Sequence, residues 1–238
     1  MLAIREDLKA GNYNAIAPQF TTEPSSPSSL QGHLKRAPLR GLEAKDHLFV
    51  EGDPKTHFYQ VVTGAVCLYK VLPDGRRQVI DFAYGGDIVS LSLGAIETFN
   101  AQATVATRLR CLPVSTLSGL AHRDPFLAMR MCEAMSDELA AVRDHLVSVV
   151  QRSATERLVT FLLALSRRNI ARNRDARMIE LPMTRADIGD FLGLTIETVS
   201  RTFTKLKALG LIEINQGTTV RLSDINGLQA MTGSAEAY

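Results

Sequence analysis

A chain of 238 residues, 45% of them hydrophobic and 22% charged, has ordinary globular chemistry and can bury a sizeable core in one large domain or two smaller ones. A formal net charge of +2 excludes a uniformly basic protein, so any nucleic-acid surface must be local. Three widely spaced cysteines (Cys67, Cys111, Cys132) exclude a disulfide framework, and the N-terminus carries no apolar run with a small-residue cleavage site. No stretch reaches the roughly 18 apolar residues of a membrane helix, so a cytoplasmic protein with no membrane partner is expected.

The first segment, residues 1–38, is rich in Ser and Pro from Thr21 onward and cannot bury enough surface to offset its ordering entropy, so it reads as a disordered arm. From Leu39 to His122 short apolar runs alternate with turn residues. The stretch "FYQVVTGAVCLYKV" reads as two strands broken at Gly64, and Asp74-Gly75 marks a hairpin between β-rich flanks. "GGDIVSLSL" and "AQATVATRLRCLPV" continue the style, which suggests an antiparallel sandwich or barrel.

The next stretch, "DPFLAMRMCEAMSDELAAVRDHLVSVV", has good helix formers and no internal Gly. Ala128, Cys132, Met135, Leu139, Val142, Leu146 and Val149 follow each other at alternating steps of four and three, a narrow heptad seam. Such a stripe either packs on a sheet of its own chain or pairs two copies; its regularity favours a two-helix dimer contact, with Cys132 a small core residue in it. A second helix follows from Ser153 through "ATERLVTFLLALSRR". The arginine-rich run "RRNIARNRDAR" is then either a solvated loop or a contact to a phosphate backbone.

The stretch "TRADIGDFLGLTIETVSRTFTKL", Thr184 to Leu206, stands apart. Thr184 with Asp187 three residues on is a capping-box helix start, and Ile188, Phe191 and Leu192 supply a buried stripe. Gly193 ends that helix and Leu194 plugs the corner. Thr195 caps a second helix whose inner face is Val199, Phe203 and Leu206: a helix-turn-helix.

The outer face carries Ile196, Glu197, Ser200 and Arg201, near the end that reaches base edges in a major groove. Arginine donates two hydrogen bonds to guanine, glutamate accepts from cytosine N4, and an exposed aliphatic meets a thymine methyl. Glu197 and Arg201 can also form an intrahelical salt bridge, worth about 0.2–0.5 kcal/mol. Candidate DNA-backbone contacts are Thr184, Thr195, Thr198, Lys205 and Lys207. "GLIEINQGTTVRL" places a hairpin around Gln216-Gly217, the wing of a winged helix.

This order of elements resembles the Crp/Fnr superfamily of bacterial transcription regulators over about Leu39 to Leu222, most densely in "TRADIGDFLGLTIETVSRTFTKLKALGLI". The resemblance implies an α+β fold with an N-terminal antiparallel, jelly-roll-like β-roll (39–122), a long dimerisation helix (123–152), a C-terminal winged helix-turn-helix (153–232) and a tail (233–238). Glu197, Ser200 and Arg201 match the E-x-x-S-R pattern of the Fnr and FixK branch, which implies TTGAT-N4-ATCAA operators read by a homodimer. Aligned through Gly86-Asp87, the ribose-binding glutamate of the Crp branch falls at Leu91, and no arginine lies between Arg77 and Arg108 to clamp a cyclic phosphate.

The four thiolates of an Fnr-type iron–sulfur cluster are missing too, since no cysteine precedes Cys67; Cys111 resembles the internal ligand only in position and reads as a buried β-roll residue. The resemblance thus implies a FixK-like regulator, with no cofactor, that activates low-oxygen, respiratory or nitrogen-fixation genes through RNA polymerase. The alternative is control by haem, nitric oxide or a metabolite in the β-roll. An enzyme is not expected: His33, His47, His57, His122 and His145 form no close ligand cluster and no activated nucleophile is visible.

Overall fold

The computed structural model describes residues 30–89, 94–215 and 218–232. They fall into two compact units divided between Leu139 and Ala140.

The first unit is built from β-strands. β1 (Leu39–Leu42), β2 (His47–Phe49), β3 (His57–Thr63), β4 (Ala65–Val71), β5 (Arg77–Tyr84), β6 (Ile88–Val89), β7 (Asn100–Ala103) and β8 (Thr107–Pro113) form two four-stranded sheets, in the orders β1-β8-β3-β6 and β2-β7-β4-β5. All their pairings are antiparallel. One cluster joins residues of both sheets, including Leu42, Val61 and Leu109 of the first and Phe49, Val66 and Ala101 of the second. The Asp74-Gly75 hairpin stands where the turn residues placed it: Val71 pairs with Arg77, and the Asp74 carboxylate accepts from Arg76 N at 3.0 Å and Nε at 2.7 Å.

Two features of the first unit differ from the sequence reading. Leu30–Arg36, inside the expected disordered arm, form a helix, α1, with Leu30 and Leu34 buried. The Ser/Pro bias stops at Ser29, and the leucines four apart give this short helix an apolar face that packs with Phe58, Ile88 and Leu112. Residues 1–29 lie outside the described residues, as does Leu91. The second difference is helix α2 (Val114–Arg123), which follows β8 directly; its Leu117 joins the same cluster.

Helix α3 (Pro125–Gln151) is the longest element. In the first unit its Leu127, Met131 and Ala134, at steps of four and three, are buried in the α1–β3–β8 cluster. Helix α4 (Ala154–Ala171) begins at a capping box in which Glu156 N donates to Ser153 Oγ at 3.3 Å and Ser153 N donates to Glu156 Oε2 at 2.8 Å. Every residue from Leu158 to Ser166 is buried.

The second unit continues with β9 (Met178–Glu180), α5 (Arg185–Leu192), α6 (Ile196–Ala208), β10 (Ile212–Asn215), β11 (Thr219–Leu222) and α7 (Ile225–Ala230). The expected hairpin is β10 and β11, and β9 adds an unforeseen third strand in the order β10-β11-β9. The tip, Gln216-Gly217, lies outside the described residues. Among the described residues no helix is long and apolar enough to cross a membrane.

Candidate nucleic-acid interface

The two helices of Thr184–Leu206 form as their caps dictate. Thr184 and Asp187 make the full box: Asp187 N donates to Thr184 Oγ1 at 3.1 Å, and Thr184 N donates to Asp187 Oδ2 at 2.9 Å. Gly193 closes α5 at φ +65°, the left-handed region that favours glycine. The turn wraps Gly189, whose carbonyl accepts from Gly193 N and from Leu194 N. A Cβ on Gly189 would stand 2.7 Å from Leu194 O, so only a bare Cα lets the chain turn this tightly. Thr195 then caps α6, accepting from Thr198 N at 3.2 Å.

Packing divides α6 into two faces. Val199, Phe203 and Leu206 are buried to 2% exposure or less, as are Ile188 and Phe191 of α5. Ile196, Glu197, Ser200, Arg201 and Lys205 are all exposed along the opposite side, together with Thr204, which the sequence reading passed over. Thr204 lies within the row, and its hydroxyl donates to Ser200 O at 3.0 Å. Lys207 is also exposed.

The electrostatics of Glu197 keep it an acceptor. Its own backbone N–H and the Thr195 hydroxyl hold its carboxyl below the usual range, with the charge of Arg201 a smaller contribution. The intrahelical Glu197–Arg201 bridge is not among the ion pairs of the described residues. Both side chains are exposed on the first two turns of α6.

The threonines are engaged within the chain. Thr184 Oγ1 also bonds Asp187 Oδ2 at 2.7 Å, and Thr195 and Thr198 share a hydroxyl contact at 3.0 Å. Thr184 and Thr195 remain exposed, Thr198 half-buried. Beside Thr184 stands Arg185, a further cation of this surface. Its guanidinium carbon lies 3.5 Å from the centre of the Phe203 ring, and burial pulls its pKa down. A cation in the first turn of a helix opposes the helix dipole, and that is the signal by which the sequence alone flags it.

The arginine-rich run divides into two parts. Arg167 and Arg168 belong to α4, Arg168 being buried. Arg172, Arg174 and Arg177 precede β9, which runs from Met178, paired with Arg221, to Glu180, paired with Thr219. Arg177 Nη1 donates to Ser223 O at 3.2 Å. Arg177 thus sits at the Met178–Arg221 end of the small sheet, while Arg172 and Arg174 stay by the C-terminal end of α4, where both backbone N–H groups donate to Asn169 O.

The seam residues of α3 lie largely on its outside. Met135, Leu139, Val142 and Leu146 are 41%, 50%, 59% and 63% exposed. Cys132, expected as a small core residue, is exposed in the single chain because the buried stripe is the neighbouring one. Ala128 and Val149 are half-buried. Cys111, expected to be buried, is partly so, beside Tyr59 and Arg40. Among the described residues no group of three or more His, Cys, Asp or Glu can hold a metal.

Comparisons with known proteins accord with this geometry. Residues 156–231 match the model of the Crp-like helix-turn-helix domain, and residues 39–124 match that of the cyclic nucleotide-binding domain. The chain is 42% identical to the nitrogen fixation regulation protein FixK of Bradyrhizobium diazoefficiens over 71% of this chain and 72% of that protein. It is 32% identical to the FixK protein of Rhizobium meliloti over 89% of this chain and 99% of that one. The structure of FixK2 from Bradyrhizobium japonicum superimposes with a TM-score of 0.78 at 35% identity, covering 85% of this chain and 99% of that one.

Proposed function

Because the chain belongs to the Crp/Fnr family of DNA-binding transcription regulators and is FixK-like within it, we propose that it acts in the cytoplasm as a homodimeric activator. It binds TTGAT-N4-ATCAA palindromes without a bound cofactor and serves low-oxygen, respiratory or nitrogen-fixation genes by engaging RNA polymerase.

The observation that carries the reading is the α6 row. Four side chains, an aliphatic, a carboxylate, a hydroxyl and a guanidinium, are exposed side by side at the N-terminal end of a helix whose back is fully buried. Arg201 and Glu197 read the two members of one G·C pair, and Ser200 and Ile196 discriminate the neighbouring A·T pairs. Lys205, Lys207, Arg185, the capping threonines and the wing supply phosphate contacts.

The exposed apolar seam of α3 supports the dimer, because a contiguous stripe of large apolar side chains left open on one helix face marks an association surface. Pairing two copies sets their recognition helices on half-sites about one helical turn, roughly 34 Å, apart.

The test is fluorescence anisotropy of aerobically purified protein, without added ligand, on a TTGAT-N4-ATCAA duplex and on one with its G·C pairs swapped. Tight, swap-sensitive binding is expected. Weak binding on both duplexes refutes a cofactor-free regulator.

A further inference from the structure

Arg157, in the first turn of α4, makes three bonds to main-chain carbonyls on two sides. Its Nε donates to Arg152 O at 2.9 Å, just past the end of α3. Its Nη1 donates to Leu192 O at 3.0 Å and to Gly193 O at 3.4 Å, the last residue and the C-cap of α5. Those carbonyls have no donor within their own helix, and the negative end of a helix dipole favours a cation there.

Two more contacts from the last turns of α3 converge on the same place. The His145 ring stacks on Phe191 with centroids 4.4 Å apart and planes 19° apart. Val149 Cγ1 and Arg157 Nη1 each lie 3.5 Å from where a Gly193 Cβ would be. Val149 is itself a seam residue and His145 adjoins another, Leu146.

We infer that Arg157 is a positioning residue that fixes the half-site spacing the protein accepts. The inference rests on the reading of the chain as a dimer on a two-half-site operator. Base reading depends on the outer face of α6 alone. Spacing depends on the angle between the helix-turn-helix and the helix that pairs the two copies, and Arg157 ties the two together.

One extra base pair rotates the second half-site by roughly 35° and moves it by about 3.4 Å, more than a rigid joint absorbs. Only a guanidinium can do this, since its planar fork reaches both sides at once. A lysine would keep the charge with a single nitrogen.

The experiment compares wild type, R157K and R157Q by anisotropy on palindromes with three, four and five base pairs between half-sites, and on a single half-site duplex. Circular dichroism checks the fold of each variant. Wild type is expected to prefer the four-base-pair spacer by about tenfold or more, the scale of losing a base contact.

In both variants that preference is expected to fall below about threefold, with half-site affinity and the G·C swap penalty kept. An R157K protein as selective for spacing as wild type overturns the role. So does a loss in either variant that falls equally on the single half-site, which makes Arg157 a folding residue. A wild-type protein indifferent to spacing or monomeric in sedimentation brings down the operator reading and this role with it; selectivity shared by wild type and R157K brings down the role alone.

Discussion

Two glycines inside helices should respond to the same substitution with opposite signs. Gly119, exposed in α2, has nothing within 4 Å of an added Cβ, and replacing a helical glycine by alanine there should stabilise the first unit by about 0.8–1.0 kcal/mol. Gly189 sits in α5 with the same propensity gain on offer. Its Cβ, however, would lie 2.7 Å from Leu194 O, and that oxygen belongs to a turn held by two hydrogen bonds to Gly189 O itself. Relief needs the backbone to move by roughly half an ångström, a strain of about 1–3 kcal/mol that exceeds the propensity gain.

Gly189→Ala should therefore lower the stability of the second unit, by about 4–8 °C for each kcal/mol in a domain of this size. It should also weaken DNA binding, because Leu194 leads directly into the α6 cap. Thermal unfolding followed by circular dichroism reads the first effect and anisotropy the second. A Gly189→Ala protein more stable than wild type, or one with unchanged operator affinity, would refute the close-approach argument, and Gly119→Ala is the internal control.

Three further perturbations test separate parts of the molecule. Arg201→Ala should cost about 1–3 kcal/mol on the operator and flatten discrimination at the guanine position; an unchanged preference between the operator and its swapped form would remove Arg201 from base reading. Leu139→Asp forfeits the cover of a side chain half exposed in the single chain, about 1 kcal/mol per copy, and adds facing carboxylates that must be desolvated. Sedimentation should find this variant monomeric at low micromolar concentration, and a persistent dimer would rule out the seam.

His145 gives a pH signature. Burial, then the nearby Arg157 charge, keep its pKa below 6.5 against a raising bond to the Phe191 backbone, so the folded state binds fewer protons than the unfolded chain. Its contribution is complete above about pH 6.5 and declines as the pH falls through the window below it. His145→Phe should keep the stack on Phe191 and lose this acid-side decline, which urea unfolding between pH 7 and pH 5 measures; an undiminished decline would assign it to other groups.

What the sequence discloses here follows how far apart the cooperating residues lie along the chain. The capping box of Thr184 and Asp187, the left-handed stop at Gly193 and the inner face of α6 depend on neighbours three or four positions away, and each stands as its spacing implies. The β4–β5 hairpin is local in the same sense and was equally legible. Strands β1, β2 and β9 are three or four residues long and take their shape from partners as distant as Arg110, so no period within them announces a strand. Helix α1 was hidden by composition, since its two buried leucines follow a Ser/Pro tract whose bias dominates any window drawn across both.

The same rule separates the parts of the candidate interface. Ile196, Glu197, Ser200 and Arg201 can be read off because one helix face is a local pattern. Gly189, Arg185 and Arg157 act through contacts to Leu194, Phe203 and the Leu192–Gly193 carbonyls, across a turn or between helices, and nothing in their own neighbourhoods states the partner. Helix α3 shows why a local pattern can be legible and still incomplete. Its heptad stripe was legible, but Leu127, Met131 and Ala134 form a second stripe at the same four-and-three spacing, one residue back on the helix. Periodicity finds both stripes and cannot say which faces inward. Burial decides it: the second stripe is closed by the β-roll cluster, which leaves Met135, Leu139, Val142 and Leu146 of the first open to water and, on the reading proposed, to another copy of the chain.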